Sequence, residues 1–426
     1  MGLAGCSGGG DGDGDDGGDG DPAANADGTT TVGTTGTDDG TTTATGPELA
    51  AFPELSAGEP AYRRWQPGTG DIAGLQDAAY NLGRTRARRD ALPAATYENQ
   101  VGWAMFNGYV GVEFDELDGM IFGLSSAAAI YLGSFARGDV TERLEGLPYE
   151  QFDRTDGVDY YRWDQTRGTR VVGVSDAAVL AGGTRSDVDD PAETFVAETT
   201  PLYATGTGER PRLHEESELY ARYTDAVGWP LVAQATPPRP ARSAGASVTQ
   251  AFPGVDVVSD DIAESVRVGF GQYLADGAVV ERYWLWTTED GPAAPADIRA
   301  TFDDPEVRRA ALEQAGNSDL AVRRDGWVVE LALVSPVSEA GGGADPPLVA
   351  VEATVDAGTL TLEHFGGDRL PLARLSVPGT AESLSLGEGE LRPGESVSVD
   401  LPDGAEPQAI VYSPPAADVT TAIAEV

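Results

Sequence analysis

After residue 50, apolar and polar positions alternate in short runs, broken by a few stretches at helical spacing. Gly119–Ser125 predicts an apolar strand. Ser134–Leu147 places Phe135, Val140, Leu144 and Leu147 on one helical face. Gln151–Trp163 predicts two strands around the turn Thr155-Asp156-Gly157, and Arg170–Leu180 a further one. Pro191–Tyr203 predicts a helix with proline in its first turn, and Glu215–Val227 another. Beyond a Pro/Ala/Ser-rich stretch at Thr236–Ser247, Ser265–Tyr273 and Ala278–Trp286 predict a hairpin around Asp276-Gly277. Pro295–Gly316 carries Ile298, Phe302, Val307 and Leu312 at helical spacing. Leu320–Val334 predicts two strands around Asp325-Gly326.

This order implies an α+β body of mainly antiparallel sheets over 51–338. Strand-helix-strand-strand before the Pro-rich stretch and hairpin-helix-hairpin after it suggest duplicated halves, 51–236 and 248–338. A Gly/Pro linker, Glu339–Pro347, then leads to a different texture. Leu348–Val355, Thr359–His364, Ala373–Val377, Ser396–Leu401 and Ala409–Ser413 are short alternating strands, which predict a small Ig-like β-sandwich over 348–415.

The first 50 residues have no such pattern. Leu3-Ala4-Gly5-Cys6 has the form of a lipid-attachment box around the single cysteine of the chain, and Gly, Asp and Thr dominate the residues after it. Such a segment buries no apolar surface and is expected to be a disordered tether. About 44 flexible residues span on the order of 35–40 Å. A secretory signal would also have a basic start and an apolar stretch before the cleavage site. The expectation is that these lie upstream of Met1; with Met1 as the true start the protein would be cytoplasmic. The Gly/Asp run lacks the apolar residue that calcium-binding β-helix repeats need in every period. The threonines are compatible with O-linked sugars.

Charge narrows the picture. The 426 residues carry a formal charge of −42, and all 28 basic residues are arginine. With ten acids in the first 50 residues, the remainder sets 60 acids against 28 arginines. Such an excess self-repels in dilute salt but is screened at molar salt, where the Debye length is about 3 Å. The absence of lysine and the abundance of aspartate resemble the proteins of extremely halophilic archaea. The charge argues against nucleic acid as a partner, because phosphate binding needs clustered cations, and Arg84, Arg86, Arg88 and Arg89 form the largest cluster. No run of 18 apolar residues is present to span a bilayer as a helix.

Within the body, Tyr62-Arg63-Arg64-Trp65 and Gly133-Ser134-Phe135 resemble uncharacterised haloarchaeal lipoproteins, a resemblance that implies no known activity. His364-Phe365-Gly366-Gly367-Asp368 after a Thr-Leu-Thr-Leu strand, with Pro393-Gly394-Glu395 before Val397 and Val399, resembles the β-sandwich module of archaeal type IV pilin-like proteins. That resemblance covers about 70 residues and implies roles in surface filaments and adhesion. The apolar helix that assembles a pilin shaft is missing, so a filament subunit is not expected.

Candidate chemistry is sparse. His214 lies among Arg212, Glu215, Glu216 and Glu218, and His364 ends a strand; two distant histidines without a second cysteine do not make a zinc site. Gly123-Leu124-Ser125-Ser126-Ala127 distantly resembles a nucleophile elbow, which needs a strand-turn-helix and a histidine. Seventy acids make chance carboxylate pairs unavoidable. No P-loop motif occurs, and no cofactor or metal is expected. Trp284 and Trp286 share a strand face and are a candidate binding surface, with core packing as the alternative. The expectation is a non-enzymatic lipoprotein on the outer face of the cell membrane. It would be anchored through Cys6 and would bind surface-layer protein or glycan. The alternatives are an extracytoplasmic hydrolase using Ser125 or paired carboxylates, and a solute-binding protein.

Overall fold

The computed structural model describes residues 58–68, 78–123 except 106, 128–183 except 167, 190–240 except 238, 266–287, 319–337 except 326–327, and 340–426 except 379–383, 403, 406, 418 and 419, with Pro53, Leu55 and Arg309. The tether with Cys6, Ser125, the Pro295–Gly316 helix expectation and Trp327 lie outside these residues, apart from Arg309.

Thirteen strands form one antiparallel sheet. They are β1 (Ala78–Tyr80), β2 (Leu117–Phe122), β3 (Ala128–Gly133), β4 (Glu150–Thr155), β5 (Val158–Gln165), β6 (Gly168–Val174), β7 (Val179–Gly183), β8 (Val232–Gln234), β9 (Arg239–Pro240), β10 (Val266–Ala275), β11 (Ala278–Thr287), β12 (Asp319–Asp325) and β13 (Val328–Pro336). Their order is β12-β13-β11-β10-β8-β1-β2-β3-β7-β6-β5-β4, with β9 beside β10. The stretches before and after Thr236–Ser247 therefore share one sheet, joined where β8 pairs with both β1 and β10. Edge strand β4 presents Glu150, Gln151, Asp153 and Arg154, charges that discourage edge-to-edge pairing.

Alternation along the strands sends side chains into two apolar layers. Ile121, Ile130, Tyr160, Val171 and Leu180 face α4 (Pro191–Thr207), α5 (Leu213–Glu216) and α6 (Glu218–Val227), which contribute Phe195, Leu213, Tyr220 and Tyr223. Met120, Phe122, Tyr131, Trp163, Val172 and Ala181 face the opposite way. They meet Leu82 of α1 (Leu82–Ala87), Tyr97 and Val101 of α2 (Ala94–Val101), and Val140 and Leu144 of α3 (Arg137–Glu145). The result is an α+β architecture with helices on both faces of an antiparallel sheet.

Several elements depart from the sequence expectation: the single helix expected over Glu215–Val227 is split at Ser217 into α5 and α6. Arg170–Leu180 is two strands rather than one, because the chain reverses at Ser175. The Ser175 hydroxyl accepts from the N–H groups of Ala177 (3.2 Å) and Ala178 (3.0 Å), a serine turn hidden inside an apolar run. The Pro191 helix runs to Thr207 rather than Tyr203, since its terminator is Gly208 at φ +89°. Its start follows the expectation: Asp190 caps it by accepting from Glu193 N–H at 3.0 Å.

Three two-residue hairpin turns have positive φ at both positions: Asp156-Gly157, Asp276-Gly277 and Ala357-Gly358. This is the type I′ geometry favoured by the right-handed strand twist. Alanine at φ +48° is strained where asparagine is tolerated. Ala357→Asn should therefore raise stability by roughly 0.5–1 kcal/mol, read as a higher urea midpoint at unchanged slope.

The C-terminal strands form three small antiparallel sheets. One contains β14 (Val349–Asp356), β15 (Thr359–Gly367) and β20 (Ser396–Asp400). The second pairs β16 (Leu370–Pro371) with β19 (Glu390–Leu391). The third joins β17 (Leu375–Val377), β18 (Leu384–Ser385), β21 (Ala409–Tyr412) and β22 (Thr421–Glu425). Val349, Val351, Leu360, Leu362, Val377 and Ile410 belong to the same apolar layer as α1–α3. Residues 340–347 are fastened to α2 as well: Ala344 N–H donates to Glu98 at 2.8 Å and Tyr97 Oη donates to Asp345 at 2.5 Å.

Candidate functional site

Trp284 presents no open ring face. It is 0% exposed, edge-on to Tyr223 of α6 at 6.0 Å, 6.4 Å from the Tyr273 ring, and covered by the Arg282 guanidinium at 4.5 Å. Strand alternation explains this, because positions 280, 282 and 284 point at α6. The indole is thus core, packed on α6, and does not form a binding surface. Trp286 continues β11, paired with Arg267 and Val328.

Arg282 also donates to Glu330, which accepts from Arg323 at 2.7 Å. Glu330 and Arg282 are both buried, so the charges compensate one another inside the sheet.

The two histidines serve separate places. His364 is fully buried at the end of β15, with its Nε2 2.7 Å from the Asp368 carbonyl and its backbone N–H on Glu395 O at 3.0 Å. It ties the last residues of β15 to Asp368 just beyond the strand, where the sequence predicts a turn at Phe365–Asp368 and the structure continues the strand to Gly367, at φ +91°. His214 lies on α5, where burial and the Arg63 charge lower its pKa. Burial likewise holds the His364 pKa below its ordinary 6.5. The unfolded chain then binds the proton first, so His364 contributes stability above about pH 6.5 and loses it as pH falls toward the lower folded value. Acidification from pH 7.5 to 5.5 should destabilise the wild type more than His364→Gln, measured by denaturation at each pH.

The carboxylate pair Glu113 and Glu116 forms a capping box at a 3-10 turn. Arg143 donates to Glu116 at 2.6 Å and holds its carboxyl below the usual range, the opposite of a proton donor. Among the described residues no group of three or more His, Cys, Asp or Glu side chains is arranged to hold a metal ion.

The most site-like cluster lies where the main sheet meets the C-terminal strands. Arg170 of β6 stands directly across from Trp163 of β5. Its guanidinium carbon is 5.7 Å from the indole centroid, a cation–π geometry. Nη2 donates to the Ile423 carbonyl in β22 at 3.2 Å. The guanidinium also donates to the Tyr149 hydroxyl. Tyr149 and Phe365 both pack edge-on against Trp163, at 5.6 and 5.1 Å. Asn107 donates to Tyr131 Oη and to the Ala181 carbonyl, each at 3.4 Å. Gly108, at φ +66°, brings bare backbone against Nη1, where a Cβ would collide with the guanidinium. Burial pushes the Tyr131 phenol up to about 12. It also raises Tyr149, against the pull of the Arg170 charge, so both phenols are neutral donors at ordinary pH.

Sequence patterning does not reveal this cluster. Its one trace there is register: Gly168 follows β5 closely and pairs with Gln165, which sets Trp163 opposite Arg170. Tyr149, Asn107 and Ile423 are brought there only by tertiary packing.

No family model matches the chain, and no curated protein matches it. Among solved structures, crystal forms I and III of TP0453 are similar, with 11% and 9% identity and a TM-score of 0.32 each. Each comparison covers 66% of this chain and 93% of the TP0453 chain. A likeness of that size carries neither fold nor function to this protein.

Proposed function

We propose that this is a non-enzymatic lipoprotein of a halophilic archaeon, anchored through a lipid on Cys6 to the outer face of the cell membrane. It holds a binding or envelope-organising body away from the bilayer. The observation that carries this reading is Leu3-Ala4-Gly5-Cys6, followed by a Gly/Asp/Thr segment that ends where apolar patterning begins. No helix among the described residues is long and apolar enough to cross a membrane; in this reading the lipid is the attachment. In the same reading the C-terminal sheets pack as an Ig-like sandwich of the pilin-like kind and face surface-layer protein or glycan.

Fractionation of the native producer tests the anchor. Wild-type protein should sediment with membranes and partition into detergent, while Cys6→Ser should be released into the aqueous phase. Wild-type protein found in the soluble cytosolic fraction would overturn the proposal.

A further inference from the structure

We propose that β20 is a dimerisation edge, on which a second copy of this chain pairs its own β20 antiparallel about a two-fold axis at Ser398. The surface is separate from Cys6, and the proposal does not rest on the anchoring reading.

An edge strand carries unpaired N–H and C=O groups that invite another strand. In the sheet β14-β15-β20, the β14 edge is closed by the body. Tyr109 N–H donates to the Val349 carbonyl at 2.9 Å, and Gln165 Nε2 to the Val351 carbonyl at 3.1 Å. β20 lies at the opposite edge and, among the described residues, pairs with β15 alone. His364 N–H donates to the Glu395 carbonyl and Leu401 N–H to the Gly358 carbonyl. The alternation of an antiparallel ladder therefore turns the main-chain groups of Glu395, Val397, Val399 and Leu401 toward β15. Those of Ser396, Ser398 and Asp400 point outward, and these three residues are exposed.

The edges of the main sheet carry devices that block such pairing. β4 has a register shift between Gln151 and Asp153. A β12 pair centred on Val322 would set Asp319 against Asp325 of the second copy. β20 has no proline, no basic residue and no register shift, and its two-fold pairing is self-complementary. Ser398 meets Ser398, a hydroxyl pair of the kind Thr361 and Ser398 already make at 2.9 Å. Ser396 meets Asp400 at both ends, which sets a hydroxyl donor, not a like charge, opposite each carboxylate. On the other face Val397 meets Val399. Both are only partly buried against the core, and a facing valine covers what remains exposed. Two chains of net charge −42 repel in dilute salt. At molar salt a Debye length of about 3 Å leaves only such local pairs to decide.

The test uses the full chain in molar sodium chloride, with Cys6→Ser throughout so that neither lipid nor the single native thiol contributes. Sedimentation equilibrium should show a reversible monomer–dimer equilibrium. Ser398→Pro should weaken the dimer at least about thirtyfold, because it removes an N–H from each copy at the axis. The monomer should keep its circular dichroism spectrum and cooperative unfolding, since that N–H faces away from β15 and edge strands accept proline at such positions. Ser398→Cys should crosslink to its copy through a short bis-maleimide, the two Cα atoms being about 5.5 Å apart in a hydrogen-bonded pair. Thr354 shares the row of Thr361 and Ser398 but lies on β14. Thr354→Cys is then five strand spacings from its copy, about 24 Å, and should not crosslink. Should Ser398→Pro fail to fold, the two cysteine variants decide the matter. A parent chain that stays monomeric, an oligomer larger than a dimer, a dimer indifferent to Ser398→Pro, or equal crosslinking at both positions would overturn the proposal.

Discussion

Glu98→Ala should lower the unfolding free energy by about 3–5 kcal/mol. Glu98 is on α2 and 3% exposed. One carboxylate oxygen accepts from Ala344 N–H at 2.8 Å, and the other accepts from Ala416 and Ala417 N–H at 2.7 and 3.0 Å. A single side chain thus fastens two separate stretches of the C-terminal region to a helix of the body. Hydrogen bonds to a charged acceptor are each worth about 1.5–3 kcal/mol, and deleting the acceptor strands the donors. Gln should be nearly as harmful, because its amide NH2 must face at least one N–H donor. Denaturant titration gives the magnitude. Limited proteolysis gives the location, with cleavage expected first near residues 340–347 and 413–420. Unchanged stability of both variants would show that the clasp is replaced by solvent at no cost.

Trp284→Ala should cost about 3–5 kcal/mol, the range for deleting a large buried aromatic. The ring is fully enclosed, and it also loses its edge contact with Tyr223 and its stacking under Arg282. Trp284→Phe should recover about half of the loss, since an apolar ring still fills most of the space. If the indole instead faced a ligand, alanine would leave the denaturation midpoint in place and reduce only binding.

The fold was legible where local chemistry is decisive. Asp156-Gly157 and Asp276-Gly277 announce their hairpins because positive φ at both positions selects those residues. The third hairpin, at Ala357-Gly358, announces itself through glycine alone. Pro191 after Asp190 marks a helix start for a similar reason. Central strands were harder to see. β3 is Ala-Ala-Ile-Tyr-Leu-Gly and buried on both faces over most of its length, so it has no alternation to detect. β1 has three residues and owes its place to pairing with β2 and β8. The reversal at Ser175 lies in a largely apolar stretch and is closed by a backbone hydrogen bond from Ser175 to Ala178 together with the Ser175 hydroxyl.

The candidate sites divide in the same way. The Trp284/Trp286 stripe was visible as alternation, but alternation alone does not say which face meets solvent. Packing on α6 decided that for Trp284. The Arg170 cluster draws on β5, β6 and β22, on Asn107 and Gly108 before β2, and on Tyr149 before β4. These residues come together only through tertiary packing, which sequence spacing cannot express.

Mass spectrometry of the amino-terminal peptide, taken from protein purified from its native membranes, tests the anchoring claim most directly. The account predicts that Cys6 is the first residue of the mature chain, with its sulfur carrying a lipid. A peptide that continues upstream of Cys6 with an unmodified thiol would contradict it.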